Sequence, residues 1–482
     1  MVDSHKMELP PGVLGLFVTE FKPNVGNSIV WKYMNPSNDN DPDLYGIEYT
    51  SMPSGMHLME SDEIYFTTRD YNHGIAIYRK ISSTEEQERG VKMFSVGLIT
   101  SDTYVPYNYL PELEELSLYL MTNPPSDDLP VMFFAPIQSS DYSKIIQQSP
   151  SPKALAFLLD LLGPLLLLLF RFLLARKRVV VFFRPTEGRG VGWISTALDT
   201  LAKILNEVDD GVSNQTRTNI IGNIGLIDLD RLKDIEGGFV ASTTDALLLE
   251  KPQVYDAIID LSPKVKYPSL YISQKQGNEM LVKRQTYTLG DLYIWRQLRS
   301  RIDSQTLVSS PPYGLIDLIA DIWSSLFGIK NSIHIPSPAS SDYHEENEDE
   351  DEDDDEEVRL FGKALNPTPA ITSFMKSYSN AILASLLTLT LKPDHDYNSN
   401  GNVRDDDHTH HNEGEEGEED SPLELTASDL LSLGLSPLSD VDSIIAKSIS
   451  KTELGRNVHI SISCAWSVAS FVRRQCLSIG WI

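Results

Sequence analysis

Cysteine is almost missing. Cys464 and Cys476 are the only two in 482 residues. They have no zinc-ligand spacing and are too few for a disulfide framework, so a reducing, cytoplasmic setting is expected. Met1 to Pro11 lacks the apolar stretch of a secretion signal. Basic residues are also scarce: 40 Lys and Arg stand against 69 Asp and Glu, a formal charge of −29. That balance argues against binding a nucleic-acid backbone. The acidic excess is local. Glu345 to Glu357 holds twelve acidic residues and one Asn, and Asp394 to Asp420 holds eleven against one Arg. Taking these 22 net negative charges from −29 leaves −7 for the rest. Such tracts are solvated and unstructured as a rule, so disordered inserts are expected at 337–358 and 392–422.

Enzyme signatures are missing too. There is no G-x-x-x-x-G-K-[ST] phosphate loop, no H-E-x-x-H and no G-x-S-x-G. Gly188-Arg189-Gly190-Val191-Gly192 sits where a strand should give way to a helix, a place where amides could meet a phosphate. Its spacing is wrong for a dinucleotide fingerprint, and bulky Trp193 follows. A plain strand-to-helix turn is the better reading. His408, His410 and His411 lie in an acidic tract, where a closed metal site is not expected. Asp62 with Glu63, and Glu112 with Glu114 and Glu115, read as solvated faces rather than acid/base pairs. Asp245 and Asp256 read as loop or edge carboxylates. No cofactor, metal or catalytic residue is therefore assigned.

Long apolar runs are represented once, from Ala154 to Phe183. The run from Ala154 to Ala175 is long enough to cross a bilayer, and Arg176-Lys177-Arg178 follows it. Three features favour a buried helix followed by a buried strand. Asp160 and Arg171 lie inside the run, and charges in lipid are costly. Gly163-Pro164 interrupts a helix. Composition then switches from Leu to Val-Val-Val-Phe-Phe, from a helix-forming to a strand-forming type.

Around this centre the chain divides in three. Strands are expected at Val13–Phe21, Asn27–Tyr33, Asp62–Thr67, Gly74–Arg79 and Val91–Ile99, with a helix at Leu110–Leu120. Together they form an antiparallel α+β module. Thr122 to Ser151, rich in Pro, Ser and Asp, reads as a linker. Strands at Val179–Phe183, Ile220–Leu229, Gly237–Ser242 and Val254–Leu261 alternate with helices such as Ile194–Val208, as in a mostly parallel α/β sheet. From Thr288 the chain turns helical. Thr288-x-x-Asp291 and Thr426-x-x-Asp429 are capping-box starts, and Leu315–Phe327, Thr372–Leu389 and Asp440–Lys447 are further helices. His459 to Ile482 has no assignable form.

The strings Phe17–Trp31, Gly46–His57, Ser61–Phe66, Glu88–Ile99, Leu173–Phe182 and Val240–Asp256, with a weaker one at Leu425–Pro437, resemble the DENN-domain family, in its LCHN-type branch. The resemblance covers most of Phe17 to Leu261. It implies a longin-like module at 12–122, an α/β DENN core at 150–280 and a helical module at 285–482. It also implies binding to a Rab-type small GTPase in membrane trafficking. Such a factor does no covalent chemistry; it stabilises the nucleotide-free GTPase and so speeds GDP release. The contact surface is expected at the cleft between the first two modules, on a rim formed by Ser51, Met52, Ser54, His57, Thr243, Thr244 and Asp245. A cytoplasmic protein, peripheral on organelle membranes, follows. The rivals are a trafficking scaffold that binds through its acidic tracts and an integral membrane protein anchored by 154–175.

Overall fold

The computed structural model describes residues 8–134 except 11, 38–40, 53, 85–89 and 102–105. It also describes 158–303 except 185–190, 210–217, 263–267 and 277–278; 373–384 except 383; and 423–461 except 434, 438 and 455–456. The helix expected at 315–327, the three histidines, both acidic tracts and most of the terminal segment lie outside these residues.

The fold is mixed α/β, built on one 11-stranded, mostly antiparallel sheet in the order β11-β10-β9-β6-β8-β7-β3-β4-β5-β1-β2. β1 (Val13–Lys22), β2 (Gly26–Met34), β3 (Ser61–Thr67), β4 (His73–Ser82) and β5 (Val91–Thr100) form the first half. The second half holds β6 (Val179–Phe182), β7 (Asn219–Asn223), β8 (Phe239–Thr243), β9 (Ala257–Asp260), β10 (Ser269–Gln276) and β11 (Glu279–Gln285). Within it, β6 pairs in parallel with β8 and β9, and β7 in parallel with β8. The remaining pairings of this sheet are antiparallel, and a separate two-stranded sheet pairs Leu423–Thr426 in parallel with Val458–Ser461.

Alternation of side chains along the strands divides the interior into two layers. In β6, Val179 and Val181 join one cluster, while Val180 and Phe182 join the other. The first layer is thick. It contains α4 (Leu165–Leu174), α5 (Gly192–Asp209), α7 (Leu289–Asp303), the helical stretch 373–382, α8 (Ala427–Ser432) and α9 (Asp440–Leu454). In the first half of the sheet the same side is covered by α2 (Leu110–Leu120) and α3 (Leu129–Phe134). Tyr65 links the two regions, stacking on Tyr107 just before α2 and feeling the charge of Asp199 in α5. Among the described residues the other side carries short elements: α1 (Ile47–Thr50), α6 (Leu229–Asp234) and 3-10 turns at Leu226–Asp228 and Ala246–Glu250.

The leucine block is interior. Every residue of α4 is buried, and at ten residues it spans about 15 Å, half a bilayer core. Among the described residues no helix is long and apolar enough to cross a membrane. Gly163, at φ 55, ends a preceding helical stretch, and α4 starts after Pro164. At its other end Arg176 takes φ 53 while its amide donates to Leu173 and that of Lys177 to Phe172, a Schellman stop. Gly238 packs against this turn so closely that a Cβ would sit 2.2 Å from the Arg176 carbonyl oxygen.

The structure corrects three expectations. The strand from Ile220 ends at Asn223 and gives way to a 3-10 turn and α6, because the Asp228 carboxylate accepts from the Gly225 amide and starts a helix there. The linker begins with a helix, α3, whose Leu129 and Phe134 are buried. The hairpin β10–β11, not foreseen, extends the sheet beyond β9. Both capping boxes form. Asp291 Oδ2 accepts from the Thr288 amide at 2.7 Å and Asp429 Oδ2 from that of Thr426 at 2.9 Å.

Candidate functional site

The two halves of the sheet meet at one ladder pair, Phe66 with Gly222. Side chains supply the rest of the joint. Thr67 donates its hydroxyl to the Ile221 carbonyl at 3.1 Å, and Asn223 Nδ2 donates to the Thr50 carbonyl at 2.9 Å. Arg231 in α6 donates to the Thr67 carbonyl at 2.9 Å and to its hydroxyl. On the thick side, Asp62 accepts from the amides of Val191 at 2.8 Å and Gly192 at 3.4 Å, at the start of α5. The end of the Gly-rich stretch therefore faces a carboxylate of the chain itself. Burial pushes the Asp62 carboxyl up to about 7, although the two amides pull the other way. A Cβ on Gly192 would lie 2.4 Å from the Glu63 carbonyl oxygen, so the first half seats directly on this helix end.

The thin side of the same joint is apolar and aromatic. Tyr45 is 57% exposed, Tyr49 49%, Tyr71 45% and Leu247 52%; Leu226, shortly after β7, is exposed as well. The loop bearing Tyr45 lies on the second half of the sheet: a Cβ on Gly46 would touch the Ile227 side chain at 3.2 Å. The turn bearing Tyr71 is held rigidly. Thr68 and Asn72 exchange hydrogen bonds, Asn72 Nδ2 donates to Asp70 at 2.8 Å, and the Asp43 amide donates to Asp70 at 3.2 Å. Tyr71 sits at φ 63, a left-handed conformation that a bulky side chain adopts at a cost of about 1–2 kcal/mol. Arg69 stacks on Tyr45 at 3.7 Å, and Arg231 lies 5.5 Å from the Tyr71 ring. Asp43 and Asp70, beside Tyr45 and Tyr71 in sequence, are exposed, as are Arg69 and, in α6, Asp230 and Lys233, which pair at 2.9 Å.

The seven residues expected on the contact rim fall partly on this joint. Ser51 is buried, donating to the Ile47 carbonyl at 2.6 Å, and Met52 packs with Met59, Ile64 and Tyr78. Ser54 and His57 are exposed. Thr243 and Thr244 are buried; the Thr243 hydroxyl donates to the Ile224 carbonyl at 2.7 Å. Asp245 is half-buried and accepts from the Leu247 amide at 3.0 Å. The two groups meet through Asn223, which binds Thr50 and lies opposite Ser242. Asp256 takes a structural part, accepting from the Arg178 amide at 2.8 Å and pairing with its guanidinium at 3.1 Å. The exposed tyrosines and Leu247 were missed. Their signal was large apolar side chains in otherwise polar loops, the composition of interface hot spots.

Exposed aromatic side chains thus flank the strands that join the two halves of the sheet. The comparisons give the family. The model of DENN domain-containing protein 11 matches residues 16–139 and 135–269, over half of the chain. The chain belongs to this DENN-domain family. It is 27% identical to "DENN domain-containing protein 11" of Rattus norvegicus over 271 residues, 52% of this chain and 57% of that protein. The Xenopus laevis protein of the same name is 26% identical over 270 residues, 52% and 59% of the two chains. "Uncharacterized protein ANR2" of Saccharomyces cerevisiae is 24% identical over 304 residues, 52% and 58%. The chain thus spans less than two thirds of the curated relatives it matches.

Proposed function

We propose that this protein binds a Rab-type small GTPase through the thin side of the joint and promotes release of its GDP. The observation that carries this is the exposed group of Tyr45, Tyr49, Tyr71 and Leu247, built on both halves of the sheet. A surface spanning two halves suits a partner whose switch regions must be held in one arrangement. Binding the nucleotide-free form more tightly than the GDP form shifts the population toward release, with no covalent step. In this reading residues 12–122 are a longin-like module, supported by the antiparallel β1–β5 with α2. Residues 150–280 are a DENN core, supported by the parallel β6–β9. Residues 285–482 are a helical module with inserts at 337–358 and 392–422. The protein works in the cytoplasm at organelle membranes during vesicle trafficking.

The test is release of a fluorescent GDP analogue from a panel of purified Rab proteins. Faster release from at least one member, lost in Tyr49→Ala and Tyr71→Ala variants that still fold, is the expected result. No acceleration and no binding across the panel would remove the proposal. Binding without acceleration would leave an effector-like binder in its place.

A further inference from the structure

Arg231 belongs to α6, in the second half of the chain's sheet, yet its bonds run to the first half. Its side chain is 8% exposed. One terminal nitrogen donates to the Thr67 carbonyl at 2.9 Å and the other to the Thr67 hydroxyl. That hydroxyl in turn donates to the Ile221 carbonyl in β7 at 3.1 Å. Asp228 lies 3.8 Å from the guanidinium and steadies it on its own side of the joint. The ladder contributes one residue pair here, Phe66 with Gly222, so side chains decide how the turn after β3 sits.

Thr67 ends β3, and the turn bearing Tyr71 begins at the next residue. Tyr71 takes φ 63 there, a conformation that persists in a bulky residue only where its surroundings over-determine it. Three amides lock the turn from within. Thr68 donates to the Asn72 carbonyl at 2.8 Å, Tyr71 to the Thr68 carbonyl at 3.1 Å and Asn72 to the Thr68 hydroxyl at 3.0 Å. Arg231 adds a hold from outside, at Thr67 and beside the Tyr71 ring, 5.5 Å from its centroid. The hold extends to Tyr45. Asp70 accepts from the Asp43 amide at 3.2 Å, and Asp43 accepts from the Tyr45 amide at 2.9 Å. Two separate donor nitrogens and a flat face for a ring are what arginine supplies and lysine does not.

We propose that Arg231 is a positioning residue of the contact surface: from the second half of the sheet it holds the turn of the first half, so that Tyr71 and Tyr45 stand where the partner meets them. This rests on the reading of the joint as the GTPase-binding face. Buried as it is, Arg231 acts through Tyr71 rather than by a contact of its own. Without it the turn leaves its strained conformation, and the partner must order the turn on binding, which costs affinity. The two halves are thereby coupled, since a side chain on one sets the aromatic residues on the other.

Hydrogen exchange of the free, full-length chain reads the hold, and binding of nucleotide-free Rab-type GTPases reads its consequence. In Arg231→Met the amides of Thr68, Tyr71 and Asn72 are expected to exchange about tenfold faster, the worth of one hydrogen bond from a charged donor. Amides of β1 and β5 should keep the parent's rates. Affinity for the GTPase should fall by about the same factor. The double variant Arg231→Met/Tyr71→Ala should lose little more affinity than Tyr71→Ala alone, because the arginine works through that ring. Arg231→Lys keeps a charge beside Asp228, so it serves where Arg231→Met does not fold, and should show the same changes at smaller size. Unchanged exchange at the turn, equal acceleration in β1 and β5, or additive losses in the double variant would overturn the proposal. Where the parent binds no GTPase of the panel, the GTPase reading falls, while faster exchange at the turn sustains the hold of Arg231 on Tyr71.

Discussion

Replacing Arg171 tests whether the leucine helix anchors the C-terminal helices. Its guanidinium is fully buried in α4 and lies 2.9 Å from Asp291 Oδ1 and 3.4 Å from Asp442 Oδ1, both also fully buried. These are contact ion pairs without the alignment of hydrogen bonds. Each carboxylate uses its other oxygen for a helix start, Asp291 accepting from Thr288 and Asp442 from the Ser436 amide at 2.8 Å. Burial lowers the proton affinity of Arg171, but Asp291 and Asp442 outweigh it and leave the affinity raised. Burial also pushes the Asp442 carboxyl up to about 6, against the pull of Arg171. Arg171→Met keeps the bulk and leaves two carboxylates buried without their counter-ion, a loss of about 3–5 kcal/mol. At about 2–4 °C per kcal/mol, melting falls by roughly 6–20 °C at pH 7.5. The sign of the pH dependence follows from the raised acid. What Asp442 contributes to stability is full below about pH 4 and declines as pH rises through about 6. Without Arg171 that decline steepens, so the deficit of the variant shrinks between pH 7.5 and 5.5. Adding Asp291→Asn and Asp442→Asn keeps an acceptor at each helix start and removes the charges, and should recover at least half of the loss. Melting of Arg171→Met within about 2 °C of the parent, or a deficit independent of pH, would refute the anchor.

Asp62, raised to about 7 by burial, makes stability decline as pH rises from about 4 to 7, so Asp62→Asn should flatten melting temperature between pH 5 and 7. Gly192→Ala forces a methyl group toward the Glu63 carbonyl and should cost about 1–3 kcal/mol in urea titration. Tyr71→Gly relieves a left-handed strain while adding backbone entropy to the unfolded chain. Stability should stay within about 1 kcal/mol of the parent, whereas GTPase affinity, read by surface binding, should fall. In carbonate extraction the protein should leave the membrane pellet, because α4 is packed inside the fold.

Much of the frame was legible because it is local. The change from leucine to valine located α4 and β6, and Gly163-Pro164 marked the break before the helix. Thr288 with Asp291 and Thr426 with Asp429 were readable as helix starts because each partner lies three residues away. The hairpin was overlooked although Gly277-Asn278 between β-type residues is a turn signal. No local pattern shows that Phe66 meets Gly222, that Asp62 caps a helix 130 residues on, or that Arg171 meets two carboxylates from the distant C-terminal helices. Neither does it reveal which loop tyrosines stay uncovered. The sequence by itself determined helix, strand and break, since propensity and capping act over a few residues. Only the tertiary structure decided which carboxylates are buried and where the two halves join, because burial and charge pairing depend on segments brought together from far along the chain.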